Sequence, residues 1–407
     1  NNGYATAIFE LWIIQANIYL LNTITLIGIN ASGKTTTLNI LSEILKVFID
    51  NKSLNQKNKL FQYFDEQLDL ENYFFDDKTV YKLVSTIKNN KETQVVEFIE
   101  EKLFHKSVTS SVTKKEFLNF DSLEPDIIRT KLDNIFLKDE DSIFSGVLNT
   151  TKKFPIIQDM TSHTNFNYLA YYSKNMPKSF VNYLDPSIEL FELLQKDKDK
   201  KNSSMRFKIK FKNNNKKITA DLIELSDYLS SGTIKGINIL GNLIVTLKSG
   251  GYLLIDEIEN HLNKNIVINL IDLFTSDLNK NGATLIFTTH YSEILDTIER
   301  SDSIYILEKN RDITIDKFSK LAKSKDRIDK KKSDLILSGE LNTAPSYVNY
   351  RAVKKDLQRV LSRGETNDIG WQRFSCMYMW GTYRRMDSRY TTQRKQTIFF
   401  KRKFIRW

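Results

Sequence analysis

Gly28-Ile29-Asn30-Ala31-Ser32-Gly33-Lys34-Thr35 places two glycines, a lysine and a hydroxyl at the spacing G-x-x-x-x-G-K-[ST]. That spacing suits the holding of a triphosphate. The glycines let the loop bend, so that backbone N–H groups from Asn30 through Gly33 point inward at phosphate oxygens. Lys34 is placed to reach the β- and γ-phosphates, and the Thr35 hydroxyl to ligate Mg²⁺. Thr36 joins them as a binding candidate on the helix whose positive end faces the anion. A second set lies 222 residues downstream of Lys34, where Leu253-Leu254-Ile255-Asp256-Glu257 is an apolar run ending in two acids. There Asp256 is suited to holding Mg²⁺ through water, and Glu257 to polarising an attacking water as general base.

These groups need strands and helices to carry them. Ile24–Ile27 reads as a buried strand before the loop, and Thr35–Phe48 as a helix with Leu38, Leu41, Ile44, Leu45 and Phe48 on one face. Strand-like runs follow at Phe61–Phe64, Thr79–Ile87 and Gln94–Ile99, then helical patches at Asp126–Phe136 and Val181–Leu194. Lys196–Ser204 reads as a solvated loop, and Met205–Lys212 with Lys216–Leu222 as a hairpin. From Thr233 the pattern becomes regular. Helices are predicted over Thr233–Lys248, Lys264–Leu278 and Ser292–Ile298, and strands over Tyr252–Ile255, Ala283–Thr289 and Ser303–Leu307. Such alternation predicts an α/β fold with a parallel sheet between helices.

Two further pieces stand in order around the acids. Leu229-Ser230-Ser231-Gly232-Thr233 opens a helix upstream of Asp256, and Thr288-Thr289-His290 ends the next strand downstream. With them the sequence resembles the ABC-type ATPases, whose signature reads Leu-Ser-Gly-Gly-Gln and whose switch histidine follows the strand after the acidic one. The resemblance implies a P-loop NTPase head with an antiparallel β subdomain and a helical arm insertion. It implies that Ser230, Ser231 and Gly232 contact the γ-phosphate of ATP held by a second copy, and that His290 contacts it in cis. Two ATP molecules with Mg²⁺ would then be sandwiched in a homodimer. Lys34, Glu257 and His290 are the expected catalytic residues, and Thr35 and Asp256 the expected metal ligands.

The Asp-Glu-Ile-Glu-Asn-His-Leu-Asn run at 256–263 lacks the proline that transporter subunits carry after the glutamate. It is more similar to the soluble ATPases grouped with the overcoming-lysogenization-defect and abortive-infection proteins, and this covers roughly residues 18–350. The group implies a defence or genome-maintenance setting with a separately encoded effector protein. A transporter subunit, a non-hydrolysing ATP-gated scaffold and a DNA-binding repair ATPase are the alternatives. Residues 1–104 and 205–325 are expected to form the ATPase core, 105–204 a mostly helical arm, and 326–407 an extension. The glutamine loop has no assigned residue, with Gln62 and Gln67 as candidates lacking spacing support. The short run before the phosphate loop, and a start at Asn1, fit a shortened N-terminus.

Composition sets the bounds. Of 407 residues, 41% are hydrophobic and 27% charged, enough apolar content for a core and too much for a disordered chain. One Cys and four His exclude a disulfide scaffold and a Cys-based zinc site. His105, His163 and His261 form no metal spacing, and Tyr168, Tyr171 and Tyr172 read as packing of the arm rather than as a base-binding patch. Leu11–Leu21 is too short to span a bilayer and has no signal-peptide flanks, so a cytoplasmic chain is expected. Residues 351–407 hold 15 Lys and Arg against 4 Asp and Glu, so the net charge of +10 belongs to the tail. A basic arm for nucleic acid or membrane, an acquired module, and out-of-frame translation all fit that break.

Overall fold

The computed structural model describes residues 5–10 as backbone, and 21–56, 60–76, 78–109, 112–132, 137–148, 155–161, 177–194, 206–214, 216–221, 223–309, 312–324, 330–339, 341, 343 and 347–362. Two compact units divide the chain, Asn1–Pro345 and Ser346–Trp407.

In the first unit the strands are β1 (Ala5–Glu10), β2 (Thr23–Ile27), β3 (Gln67–Asp76), β4 (Thr79–Asn90), β5 (Val95–Ser107), β6 (Ile127–Ile128), β7 (Ile156–Met160), β8 (Ile188–Leu194), β9 (Arg206–Phe211), β10 (Ile218–Asp221), β11 (Gly251–Ile255), β12 (Thr284–Thr289), β13 (Ile304–Lys309) and β14 (Ile313–Lys317). Its helices are α1 (Lys34–Phe48), α2 (Lys114–Leu118), α3 (Ser145–Leu148), α4 (Lys178–Leu184), α5 (Leu225–Tyr228), α6 (Ser231–Ser249), α7 (Lys264–Thr275), α8 (Phe318–Ser324) and α9 (Lys332–Leu337). The second unit is described over α10 (Tyr347–Ser362), on which residues 347–361 are all exposed.

A six-stranded sheet in the order β14-β13-β2-β12-β11-β7 organises the first unit. All neighbours in it are parallel except β13 and β14. Its central strands are apolar throughout because both faces are covered. Ile27, Leu253, Ile255, Leu285, Phe287 and Ile306 share one core cluster with residues of α6, α7 and α8. Their alternating neighbours Leu26, Tyr252, Leu254, Ile286 and Leu307 pack on Leu38, Leu41 and Leu45 of α1. The phosphate-loop strand β2 and the acidic strand β11 are thus one strand apart, with β12 between them. Their C-terminal ends form the crevice where such sheets hold ligands.

Two smaller sheets complete the unit. The order β1-β3-β4-β5-β6 is antiparallel apart from β1 with β3, and β10-β9-β8 is antiparallel. The fold is therefore an α/β P-loop NTPase with a parallel sheet and antiparallel subsheets.

Several segments differ from expectation. Phe61–Phe64 is not a strand; Leu60–Gln62 is a 3₁₀ turn. The Asp126–Phe136 patch is strand β6 followed by a 3₁₀ turn at Arg129–Lys131, with 133–136 outside the described residues. Val181–Leu194 is not one helix. Pro186 disfavours helical backbone at Asp185, so α4 stops there and β8 begins two residues after the proline. Ser292–Thr297 is 3₁₀ rather than α. The stretch 105–204, expected to be mostly helical, holds short helices and strands among the described residues, and its β7 joins the central sheet. The loop Lys196–Ser204 and the three tyrosines of the arm lie outside the described residues, as does 363–407.

Candidate functional site

The phosphate loop turns between β2 and α1. Gly33 has φ +94°, and a Cβ there would lie 2.4 Å from Ile313 Cδ1. A Cβ on Gly28 would lie 2.4 Å from the Leu307 carbonyl oxygen, so Gly28 is required by space and Gly33 by its left-handed backbone. Ala31 also has positive φ, at 64°. No side chain caps the start of α1 and no acid lies in its first turn, which leaves its amides for an anion. Ser32 Oγ is buried without a hydrogen-bond partner. Lys34 folds back across the loop, its Nζ donating to the carbonyls of Gly28 at 2.9 Å and Ile29 at 3.0 Å. Burial pulls its ammonium below the usual lysine range, and Asp256, Glu257 and Glu259 push it back up.

Across the crevice, Thr35 Oγ1 donates to Asp256 Oδ2 at 2.8 Å. The other Asp256 oxygen accepts from Thr288 Oγ1 at 2.6 Å, and that hydroxyl accepts from the Glu257 amide at 2.7 Å. Thr288 comes from β12, so the strand between the two motifs sets the aim of both acids. Glu257 has φ 46°, a left-handed backbone for a residue with a side chain. Its Oε1 faces His290 Nε2 at 3.6 Å, and both side chains stay partly open to solvent. The His290 amide donates to Glu259 Oε1 at 2.6 Å, while Glu259 Oε2 is buried without a partner.

The Ser230–Gly232 turn opens α6. Ser230 Oγ accepts from the Thr233 amide at 3.1 Å and caps the helix. Among the described residues, no hydrogen bond joins Ser230, Ser231 or Gly232 to Gly28–Thr35 of the same chain. Lys235, one turn further along, is buried and donates from Nζ to the Glu257 carbonyl at 2.7 Å.

Gly28, Asn30, Ala31, Ser32, Gly33, Lys34, Thr35 and Thr36 thus share one loop and helix start. Asp256, Glu257 and His290 stand beside them across β12. Gln62 and Gln67 belong to the 3₁₀ turn and to β3, away from the central sheet. His105 pairs with Asp126, His261 is exposed, and His163 lies outside the described residues. Among the described residues no three His, Cys, Asp or Glu side chains form a metal cluster. Sequence reasoning passed over Thr288, Glu259 and Lys235. The signal for the last was present: it is the one charged residue between Thr233 and Leu247.

Sheet order, phosphate loop and acidic strand define a P-loop NTPase. A family profile described as "AAA domain, putative AbiEii toxin, Type IV TA system" matches residues 24–296, and the chain belongs to that family. Among solved structures it is similar to an SMC head domain from Thermotoga maritima, with 10% identity, 74% of this chain and 92% of that one covered, and TM-score 0.35. It is also similar to an Smc head domain with an extended coiled coil, bound to the C-terminal domain of ScpA, from Pyrococcus furiosus. There the identity is 12%, the shares covered are 76% and 93%, and the TM-score is 0.33. No curated protein matches the sequence. No helix among the described residues is long and apolar enough to cross a membrane.

Proposed function

We propose that the protein is a magnesium-dependent ATPase that closes as a homodimer over two ATP molecules. The single observation that carries the reading is the 2.8 Å bond between Thr35 and Asp256, which joins the phosphate loop to the acidic strand. Both groups belong to the metal's usual ligand types, and the orphaned Ser32 hydroxyl and uncapped α1 amides suit a triphosphate. Bound there, Mg²⁺ would neutralise charge on the β- and γ-phosphates.

The chain's own groups supply the rest. Lys34 has three donors and can turn from the loop carbonyls to phosphate oxygens. Glu257 takes a proton from water as the water oxygen bonds to the γ-phosphorus. The bond to the β,γ-bridging oxygen breaks, and ADP and inorganic phosphate leave. His290 donates to a γ-phosphate oxygen beside that carboxylate. The second copy's Ser230, Ser231 and Gly232 would close the site, and opening after hydrolysis would move the 105–204 region. The core itself is assigned to 1–104 and 205–325, joined by β7. The family description, which speaks of a toxin and a toxin–antitoxin system, supports a defence setting with a separately encoded effector.

The test is nucleotide binding and turnover by the full chain. Mg²⁺–ATP should bind and be hydrolysed, Lys34→Ala should lose both, and ATP should convert Glu257→Gln to a dimer in light scattering. Equal ATP affinity in the wild type and Lys34→Ala would end the proposal.

A further inference from the structure

Lys235 stands out as a buried ammonium that the hydrolysis scheme does not use. It sits one helical turn inside α6, directly behind the Ser231–Gly232 turn, with only 8% of its surface exposed. The rest of that helix's buried face is uncharged, including Ile234, Ile237, Ile239 and Leu240. Burying an ammonium is unfavourable unless it is bonded, and Lys235 Nζ donates to a main-chain atom, the Glu257 carbonyl oxygen, at 2.7 Å.

That atom is a sensitive place to hold. The left-handed backbone of Glu257 persists only where its surroundings fix it. Its amide is fixed from β12 by Thr288, and its carbonyl from α6 by Lys235. The same helix start touches the acidic loop a second time. A Cβ on Gly232 would lie 2.3 Å from the His261 carbonyl oxygen, and His261 too is left-handed, with φ 65°. The helix start therefore bears on the acidic loop at two carbonyls, each belonging to a residue in left-handed conformation.

We propose that Lys235 is a positioning residue that ties the Ser230–Gly232 turn to the Glu257 backbone of its own chain, so that a second copy's triphosphate docking on that turn is felt at the carboxylate that activates water. The inference rests on the ATPase reading above and deepens it. Docking shifts α6 along its axis, Lys235 carries the shift to the Glu257 peptide, and the carboxylate is brought into line with the water only in the closed dimer. Burial holds the Lys235 ammonium below its usual range while Glu259, Glu257 and Asp256 oppose this, so the group keeps company with the whole acidic run.

The test compares the full-length wild type with Lys235→Met, which keeps the stem and loses the ammonium, and with Lys235→Arg, which restores a donor. Thermal melting controls for folding. In Lys235→Met, kcat should fall by roughly 10- to 100-fold with KM within about threefold, the size of loss that misplacing a catalytic group produces. Lys235→Arg should recover most of it. In a Glu257→Gln background, ATP-driven dimerisation should be unchanged by Lys235→Met, because assembly is upstream of the link. A Lys235→Met enzyme with wild-type kcat overturns the proposal, as does a parallel loss of melting temperature, KM and kcat that arginine does not rescue. Should Lys235→Met fail to fold, Lys235→Gln reads the same split on a shorter donor; failure of both to fold also overturns it, since the role is then structural. If the wild type binds no ATP, the ATPase reading falls and takes this link with it. If the wild type hydrolyses ATP and Lys235→Met matches it, the link alone falls.

Discussion

Thr35 Oγ1 and Asp256 Oδ2 meet at 2.8 Å although 221 positions separate them in sequence. The contact exists because β2 and β11 flank β12 and end at the same edge of the sheet. Thr35→Val and Asp256→Asn each remove one side of it. Magnesium-stimulated turnover should fall by roughly 100-fold or more in either variant. Metal-free nucleotide affinity should stay within a few-fold of wild type, since the loop amides are untouched. Magnesium titrations of ATPase rate, with fluorescent-nucleotide binding in EDTA, check both arms; a variant with normal magnesium dependence refutes the ligand assignment.

Glu257→Gln keeps shape and loses the base. Turnover should drop by about 10²- to 10⁴-fold, the usual contribution of general-base catalysis. ATP binding should survive, and the ATP-bound dimer should live longer because it no longer resolves. Phosphate release and light scattering on one sample decide this. Retained turnover would move the role of base to another group.

The phosphate loop, the acids and the parallel alternation after Thr233 were legible because each pairs a fixed spacing with a complete apolar strand. β7 was not. Its run Ile-Ile-Gln-Asp-Met is interrupted by Asp159, which is held at the sheet edge by Lys46 and Ser42 on α1 and by Thr161 just beyond the strand. No local pattern announces a partner more than a hundred residues earlier. Lys235 was hidden for the opposite reason. Its neighbours read so clearly as an apolar helix that it drew no assignment, while its hydrogen-bond partner, the Glu257 carbonyl, lies 22 positions downstream at the end of the acidic strand.

Gly33→Ala tests the loop's backbone. Its φ of +94° is unfavourable for any residue with a Cβ, by about 1–2 kcal/mol, and the new methyl would strike Ile313. Stability in urea should drop by at least that amount, and nucleotide affinity should fall with it. Adding Ile313→Ala should relieve the clash and recover part of the stability but leave the affinity low, because the backbone strain remains. Full recovery of both would show that space alone mattered.

Asp159 gives the unit an acid-sensitive joint. Burial raises its carboxyl, but hydrogen bonds from Lys46 and Ser42, the Lys46 charge and the Thr161 amide overcome this and bring it down to about 2. Its folded value is thus depressed below the unfolded value of about 3.9. The stabilisation is complete above pH 4 and is lost as pH falls toward 2. The difference corresponds to about 2–3 kcal/mol. Asp159→Asn should therefore cost stability at pH 7 and flatten the decline between pH 4 and pH 2. Urea unfolding across that range checks it; an unchanged slope would mean another carboxylate dominates.

Glu101 and Arg129 form a pair inside the five-stranded sheet. Glu101 has no exposed surface and accepts from Arg129 Nη1 at 2.8 Å, Ser142 Oγ at 2.6 Å and the Ile143 amide at 2.9 Å. Burial raises its carboxyl above the ordinary carboxylate range, and those donors and the guanidinium offset this only in part. Arg129 also donates to the carbonyls of Asp141 and Lys138, so it staples the 138–142 loop to β5. Arg129→Met leaves a buried acid without its cation, at a cost of about 3–5 kcal/mol. Removing both charges with Glu101→Gln and Arg129→Met should cost less than Arg129→Met alone, because no uncompensated charge remains. Urea midpoints for the two singles and the double form the cycle, and nucleotide affinity at saturating fold should not move, since the pair lies outside the parallel sheet. A double variant as weak as the sum of the singles would show that the loop staple, not the buried charge, sets the cost.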